Sequence, residues 1–314
     1  MESFADKLAV VTGGGTGMGR ELVLQLVAEG ASVATCDVNA DTLDETAKLA
    51  REAASSSDVK ITTHICDVGD ETQMMMFRDE VMAEHDSDYV NLVFNNAGVG
   101  GGGGFVAGDR ESWDRTFAIC WGGVYNGCRA FIPLLVASDD GYLVNTSSVN
   151  GFYASIGEGV PHTAYSAAKF AVKGFTEALI EDFRVNAPHV KVAVVMPGHI
   201  GTDIVKNSRL VLAGNALDLA AVRNTMSQRG FDHSNMSDDD IANLAQMMEE
   251  GFKSMAPTTA AQAATIILDG VRNEKWRILV GDDAVKLDEA VRANPDQAYE
   301  PGHTLFQLIT NPQG

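Results

Sequence analysis

Tyr165 and Lys169 stand four residues apart in Tyr165-Ser166-Ala167-Ala168-Lys169. On a helix that separation puts a phenol and an ammonium on one face. A free phenol titrates near pH 10, so exchanging a proton near neutrality needs its pKa lowered by about 2 to 3 units, roughly 3 to 4 kcal/mol. A nearby ammonium is a source of such a shift. Tyr and Lys at this spacing occur on many helices, so the pair gains meaning from its company. Upstream, an expected strand over Tyr142–Thr146 ends at Ser147 and Ser148. A hydroxyl at the carboxyl end of a parallel strand points into the crevice where such sheets bind ligands.

A second constellation is built of glycine. Thr12-Gly13-Gly14-Gly15-Thr16-Gly17-Met18-Gly19 lies where a first strand, Leu8–Thr12, gives way to a helix running to a Gly30 stop. There the unpaired N–H groups of a helix N-terminus can receive a pyrophosphate, and glycine lets the backbone approach it. Asp37 ends the next strand, about 20 residues on, where a carboxylate accepts hydrogen bonds from the adenosine ribose and repels a 2′-phosphate. No Lys or Arg lies within the turn, so NAD(H) is expected over NADP(H). No GxxxxGK[ST] sequence is present to bind ATP or GTP, and no GxSxG elbow supports Ser148 as a hydrolase nucleophile.

The elements that must position these groups alternate. Strands are expected over Leu8–Thr12, Ala31–Asp37, Val59–Cys66, Val90–Phe94, Tyr142–Thr146, Lys191–Met196 and Arg277–Val280, with helices over about 40–54, Thr72–His85 and Ala260–Arg272 among them. Such alternation predicts an α/β fold, a doubly wound parallel sheet of Rossmann type with helices on both faces. One NAD-binding domain is expected over 1–284. Within it a Met-rich, loosely helical segment at 203–256 is read as a substrate cover, and 285–314 as a C-terminal extension ending in the apolar residues Leu305, Phe306, Leu308 and Ile309. The five glycines Gly100–Gly104 make a segment where backbone can approach a ligand or move.

The 314 residues carry 45% hydrophobic and 21% charged side chains, a balance suited to a buried core rather than disorder. A net charge of −20 without clustered Lys or Arg argues against nucleic acid. The opening residues show no signal-peptide pattern and no apolar stretch reads as membrane-spanning, so a cytoplasmic protein without a membrane partner is expected. Cys36, Cys66, Cys120 and Cys128 form no metal-binding pattern and read as buried, reduced thiols.

Taken together, these residues resemble the short-chain dehydrogenase/reductase family over about 6–203 and more weakly to about 284. Its TGxxxGxG turn is matched by Thr12, Gly13, Gly17 and Gly19, its acidic residue by Asp37, and its Asp-Val pair beside the adenine by Asp67 and Val68. Its NNAG segment is matched by Asn95, Asn96, Ala97 and Gly98, and its PG segment by Pro197 and Gly198, followed by Ile200 and Thr202 near the nicotinamide carboxamide. With Thr16 and Met18 in the turn, these form the expected cofactor site. The resemblance implies that Ser148 hydrogen-bonds the substrate oxygen, that Tyr165 is the acid/base, and that Lys169 holds the nicotinamide ribose.

Three departures stand out. Cys120 occupies the place where the family has an Asn that helps a water reach the lysine, and a thiol is a poor substitute for a carboxamide. Ser148 precedes Tyr165 by 17 positions, longer than the family spacing, with Gly157–His162 as the insertion, and Met196 precedes Pro197 where Asn is common. His162 and His199 flank the site, and Trp121, Phe152 and Tyr153 are either pocket walls or core. The expected function is an NAD(H)-dependent oxidoreductase interconverting a secondary alcohol and a ketone, the methionines of the cover hinting at an apolar pocket. The alternative is a catalytically impaired NAD-binding regulatory or interaction protein, motivated by Cys120. A homodimer or homotetramer is implied by the resemblance.

Overall fold

The computed structural model describes residues 1–157, 159–214, 217, 219–228, 231–300 and 305. Along the chain run β1 (Leu8–Thr12), α1 (Gly17–Ala28), β2 (Ser32–Asp37), α2 (Ala40–Ala53), β3 (Ile61–Ile65), α3 (Glu71–His85), β4 (Leu92–Asn95), α4 (Arg110–Phe117), α5 (Gly123–Val136), β5 (Gly141–Thr146) and α6 (Thr163–Asn186). Then follow β6 (Val190–Pro197), β7 (Ile200–Gly201), α7 (Ile204–Ala213), α8 (Leu219–Gln228), α9 (Asp238–Ser254), β8 (Thr258–Thr259), α10 (Ala260–Arg272), β9 (Arg277–Val280) and α11 (Asp282–Ala293).

Seven strands form one parallel sheet in the order β3-β2-β1-β4-β5-β6-β9, as the alternation predicted. The central strands β1, β4 and β5 are buried at every position, because helices cover both faces. Val10, Phe131 and Val172 belong to the core on one face, Leu26, Val195 and Ile267 to that on the other. Side chains fix where helices start: Asp70 accepts from the amides of Thr72 and Gln73 at α3, and Thr259 and Gln262 form a capping box at α10.

Two expectations change. Arg110–Val136 is one continuous helical run of 27 residues whose mean hydropathy reaches 1.2 in its best window, so a stretch of membrane-spanning length and composition does exist. Its apolar side chains Val124, Cys128, Phe131 and Leu135 are buried in the sheet's own core, which is why the run is apolar. The segment after Val280 is no simple tail either. α11 packs on this same chain, with Ala284 and Leu287 buried among Val149, Tyr153, Ala298 and Leu305. Phe306, Leu308 and Ile309, like Glu158 in the loop before α6, lie outside the described residues.

Leu287→Ala tests this docking. It should destabilise the protein by about 2 to 5 kcal/mol in chemical denaturation, the usual range for a fully buried leucine, whereas a near-zero change would mean that α11 is not part of the core.

Candidate functional site

Strand order reverses between β1 and β4, and a crevice opens at their carboxyl ends. Thr12 Oγ1 accepts from the amides of Asn96 (3.0 Å) and Ala97 (3.1 Å), while Asn96 Nδ2 donates to Thr12 O at 3.1 Å. This binding draws Gly13 so close to β4 that a Cβ on it would lie 2.8 Å from Ala97 Cα. Gly13 also has φ +71°, a left-handed backbone that favours glycine. Thr16 begins α1 in extended conformation without a side-chain cap, leaving the first-turn amides facing the groove. Glycine backbone and open amides fit a pyrophosphate.

The groove is lined by Gly13, Thr16, Gly17, Met18, Asp37, Asp67, Val68, Ala97, Gly98 and Thr202, all expected from the sequence. Asp37 Oδ2 accepts from Gly15 N (3.0 Å) and Oδ1 from Asn39 N (3.2 Å), which holds the carboxylate at the mouth. Three further residues escaped the sequence reading. Arg20, just past the glycine turn, donates to Gly15 O at 2.6 Å and pairs with Glu45 at 2.7 Å, so the cation next to the turn is already engaged. Arg115 on α4 pairs with Asp67 Oδ2 at 2.5 Å beside the groove. Asn207 on α7 donates to Thr16 Oγ1 at 2.9 Å and ties the expected cover to the cofactor turn. An i+4 rule finds none of these, because Glu45, Asp67 and Thr16 lie more than 20 residues from their partners.

Asn95 turns from the groove. It is buried and donates to Asn145 Oδ1 at 2.9 Å, and Asn96 lines the groove in its stead. Ile200 is likewise buried, while Pro197 ends β6 and Gly198 opens the loop leading to Thr202, neither on the groove wall.

At the neighbouring strand ends, Ser148, Tyr165 and Lys169 converge. Ser148 Oγ accepts from Asn150 N at 3.1 Å and neighbours the Tyr165 phenol, whose pKa it lowers. Ser147 Oγ donates to Lys169 O at 2.7 Å, so strand end and helix are fastened to each other. Lys169 Nζ lies 5.4 Å from the centre of the Tyr165 ring and donates to Thr146 O at 2.9 Å. Burial pushes the Tyr165 phenol well above its ordinary pKa, the Cys120 thiol adds to that, and the Ser148 hydrogen bond opposes both. Burial pushes the Lys169 ammonium below its ordinary value, with Cys120 opposing. In the chain by itself the phenol is therefore protonated at neutrality, without the lowering expected from Lys169.

Cys120 sits in a π-helical turn, Ala118–Gly122, between α4 and α5, a distortion that often marks a functional site. Its thiol is buried and donates to Val99 O at 3.1 Å. The glycine run is packed rather than loose. Gly100 N donates to Ser208 Oγ of α7 at 2.7 Å, a Cβ on Gly101 would lie 2.5 Å from Leu212 Cδ1, and Gly103 O accepts from Thr163 N of α6 at 2.9 Å. The glycine segment thus joins α6 to α7.

His162 lies against the site, its ring centre 4.8 Å from that of Tyr165. His199 is held instead by Phe252 O, to which Nε2 donates at 2.7 Å. Trp121 packs edge-on against Phe175, Tyr153 stacks on Tyr299, and Phe152 lies under Arg277, so these aromatics serve packing. Of the methionines in the segment expected to line a pocket, Met226 is buried while Met247, Met248 and Met255 are exposed.

Comparison with known proteins now decides the family, since the short chain dehydrogenase family matches residues 7–211. The chain belongs to the short-chain dehydrogenase/reductase family. Among relatives of this family, SadH of Mycobacterium tuberculosis, named as an oxidoreductase, is 33% identical over 93% of this chain and 92% of its own length. Human epidermal retinol dehydrogenase 2 is 31% identical over 64% of this chain and 62% of its own. A family structure from Burkholderia phymatum, solved with NAD, superposes with a TM-score of 0.75 at 24% identity, covering 95% of each chain. These likenesses support an oxidoreductase and do not favour a purely regulatory protein.

Burial pushes the His162 imidazole down to about pKa 4. The ring is then neutral in the fold where an unfolded chain would begin to bind a proton near pH 6.5, so stability falls as pH drops from there toward 4. The His162 ring resonances should titrate near pH 4 by NMR, and His162→Gln should flatten the acid side of the stability profile. A midpoint near 6.5 would place the ring in solvent.

Proposed function

We propose that this protein interconverts a secondary alcohol and a ketone with NAD(H) as cofactor. The observation that carries the reading is the convergence of Ser148, Tyr165 and Lys169 beside a groove whose glycine turn and open helix amides suit a dinucleotide. Bound in that groove, the cofactor supplies the hydride acceptor, or in reduced form the donor.

In this reading the chain's own groups manage binding and protons. The α1 amides and Gly13 hold the pyrophosphate, Asp37 takes the adenosine ribose hydroxyls, and Asp67 and Val68 flank the adenine. Ala97, Gly98 and Thr202 wall the remainder, with Pro197, Gly198 and Ile200 shaping the loop at the nicotinamide end. Ser148 orients the substrate oxygen, and Tyr165 gives its proton to that oxygen in reduction and recovers it in oxidation. Lys169 binds the ribose beside the nicotinamide, and its charge helps the phenol ionise in the oxidative direction. Cys120 donates its thiol to Val99 O rather than to a relay toward Lys169, whose Nζ is held by Thr146 O.

NAD is favoured over NADP because Asp37 faces a 2′-phosphate while Arg20 is committed to Glu45 and Gly15. SadH is named as an oxidoreductase and the epidermal protein as a retinol dehydrogenase, and the Burkholderia phymatum structure was solved with NAD. A homodimer or homotetramer is supported by exposed Tyr125 on α5 and Phe170 and Val185 on α6. A cytoplasmic, acidic protein without nucleic-acid or membrane partners completes the proposal.

The direct test follows reduced-nicotinamide absorbance with NAD or NADP across a panel of secondary alcohols. Turnover with NAD is expected, and cofactor binding without turnover on any of them would count against the enzymatic reading. Tyr165→Phe should lower kcat by about 10²- to 10⁴-fold while NADH binding stays nearly intact; wild-type turnover would remove Tyr165 from the acid/base role. Asp37→Ala should narrow the kcat/KM preference for NAD over NADP by about 10- to 100-fold, the worth of one hydrogen bond to a charged group, and an unchanged ratio would mean that Asp37 does not touch the ribose.

A further inference from the structure

The carboxylate of Asp283 takes no part in the chemistry above, yet it is fully buried at the start of α11. A buried carboxylate is expensive unless it is hydrogen-bonded, so its partners reveal what it is kept for. Oδ2 accepts from His199 N at 2.6 Å, and the amides at the start of α11 add to its support. Gly198 passes so close that a Cβ there would lie 2.5 Å from Asp283 Cγ. The same glycine donates from its amide to Val280 O at 3.0 Å. Gly281, with φ +100°, turns the chain so that the carboxylate faces back toward β6.

The loop so gripped is the one that follows β6. Its far end, Thr202, lines the groove opposite Gly17, where a Cβ would come within 3.2 Å of Thr202 Cγ2. Its near end leaves the sheet next to β5, the strand that delivers Ser148. Residues 197–202 therefore bridge the glycine turn and the reactive hydroxyls. Within the loop, His199 Nε2 also donates to Phe252 O on α9, and β7 pairs with β8. The same buried stripe of α11 packs Ala284 and Leu287 against Val149, the residue after Ser148. One short helix thus stands behind both loops of the reactive end. Burial pushes the Asp283 carboxyl above its ordinary pKa, with the His199 amide opposing. Oδ1 has no hydrogen-bond partner among the described residues, so the whole polar return on this burial comes through Oδ2 and the helix start.

We propose that Asp283 is a positioning residue that sets the 197–202 loop for the nicotinamide end of the cofactor, acting through the His199 amide and the Gly198 backbone. The inference rests on the dinucleotide reading of the groove. It has a signature that general destabilisation lacks, because ADP-ribose shares every part of NAD except the nicotinamide.

Calorimetric titration of the full-length chain and its variants with NAD and with ADP-ribose makes the test. Asp283→Ala should weaken NAD binding by at least about tenfold, the worth of a hydrogen bond to a charged group, and leave ADP-ribose nearly unchanged. Asp283→Asn, whose amide oxygen can still accept from His199 N, should restore most of the NAD affinity. Asp283→Ser, too short to reach that amide, carries the same test should the alanine variant not fold. Equal weakening of both ligands, or no weakening of either, would overturn the assignment. Failure of the unaltered protein to bind ADP-ribose would instead overturn the dinucleotide reading, and this assignment with it.

Discussion

The Thr12 hydroxyl holds the ends of β1 and β4 together at the point where the chain parts to opposite faces of the sheet. Two amides share one oxygen there, and Asn96 returns a bond to the Thr12 carbonyl. That clasp forces Gly13 against Ala97, and the close approach in turn dictates glycine and a left-handed backbone at the first position of the turn. From the same point α1 departs with its first-turn amides uncovered. Everything proposed for the cofactor follows from this local economy of hydrogen bonds. A crevice at the carboxyl ends of parallel strands is general to the architecture, but only a close-packed edge makes it narrow enough for backbone to hold a ligand.

The groove carries little free positive charge. Arg115 is its one cationic side chain among the described residues, and it is paired with Asp67. Arg20 is drawn inward to Gly15 and Glu45. In a chain of net charge −20, binding of an anionic dinucleotide must therefore rely on directed amides and helix polarity rather than a broad positive field. The reactive end follows the opposite logic. Tyr165 and Lys169 are both desolvated, and desolvation disfavours the charged form of each. A phenol held protonated in this way holds its proton more tightly, and added positive charge beside it is what would bring its pKa down. The site is electrostatically biased until its ligands arrive.

Most of this was legible where function and local geometry impose the same residue. Glycines in the turn, the acid ending β2 and the Tyr–Lys spacing have few other uses together, and strands such as Leu8–Thr12 and Arg277–Val280 appear at their expected bounds because they are apolar runs closed by turns. What sequence spacing missed were partners distant in the chain. Asn207 reaches Thr16, Arg115 reaches Asp67, and His162 comes to lie on Tyr165 only once α6 is placed. Asn95 was assigned to the cofactor from its motif, but alternation along β4 sends its side chain into the core toward Asn145. The methionines of the 203–256 segment suggested an apolar lining, yet amphipathic helices there turn several of them outward.

α11 shows why apolar periodicity has limits. Its inward stripe includes Asp283 and Asp288 beside Ala284 and Leu287, so half of what it buries is charged. Asp288 is paired with both Arg277 of β9 and Arg292 of its own helix, and Asp283 is bonded to His199. Read along the sequence, those acids look like a solvated segment after the last strand. Buried, they are tolerable only because the fold brings a partner to each, and a partner can be supplied only by a loop or strand held in a fixed place. The loop after β6 is such a place. The cost of burying Asp283 is thus coupled to the position of the loop after β6, since the helix that buries this acid also packs against Gly198.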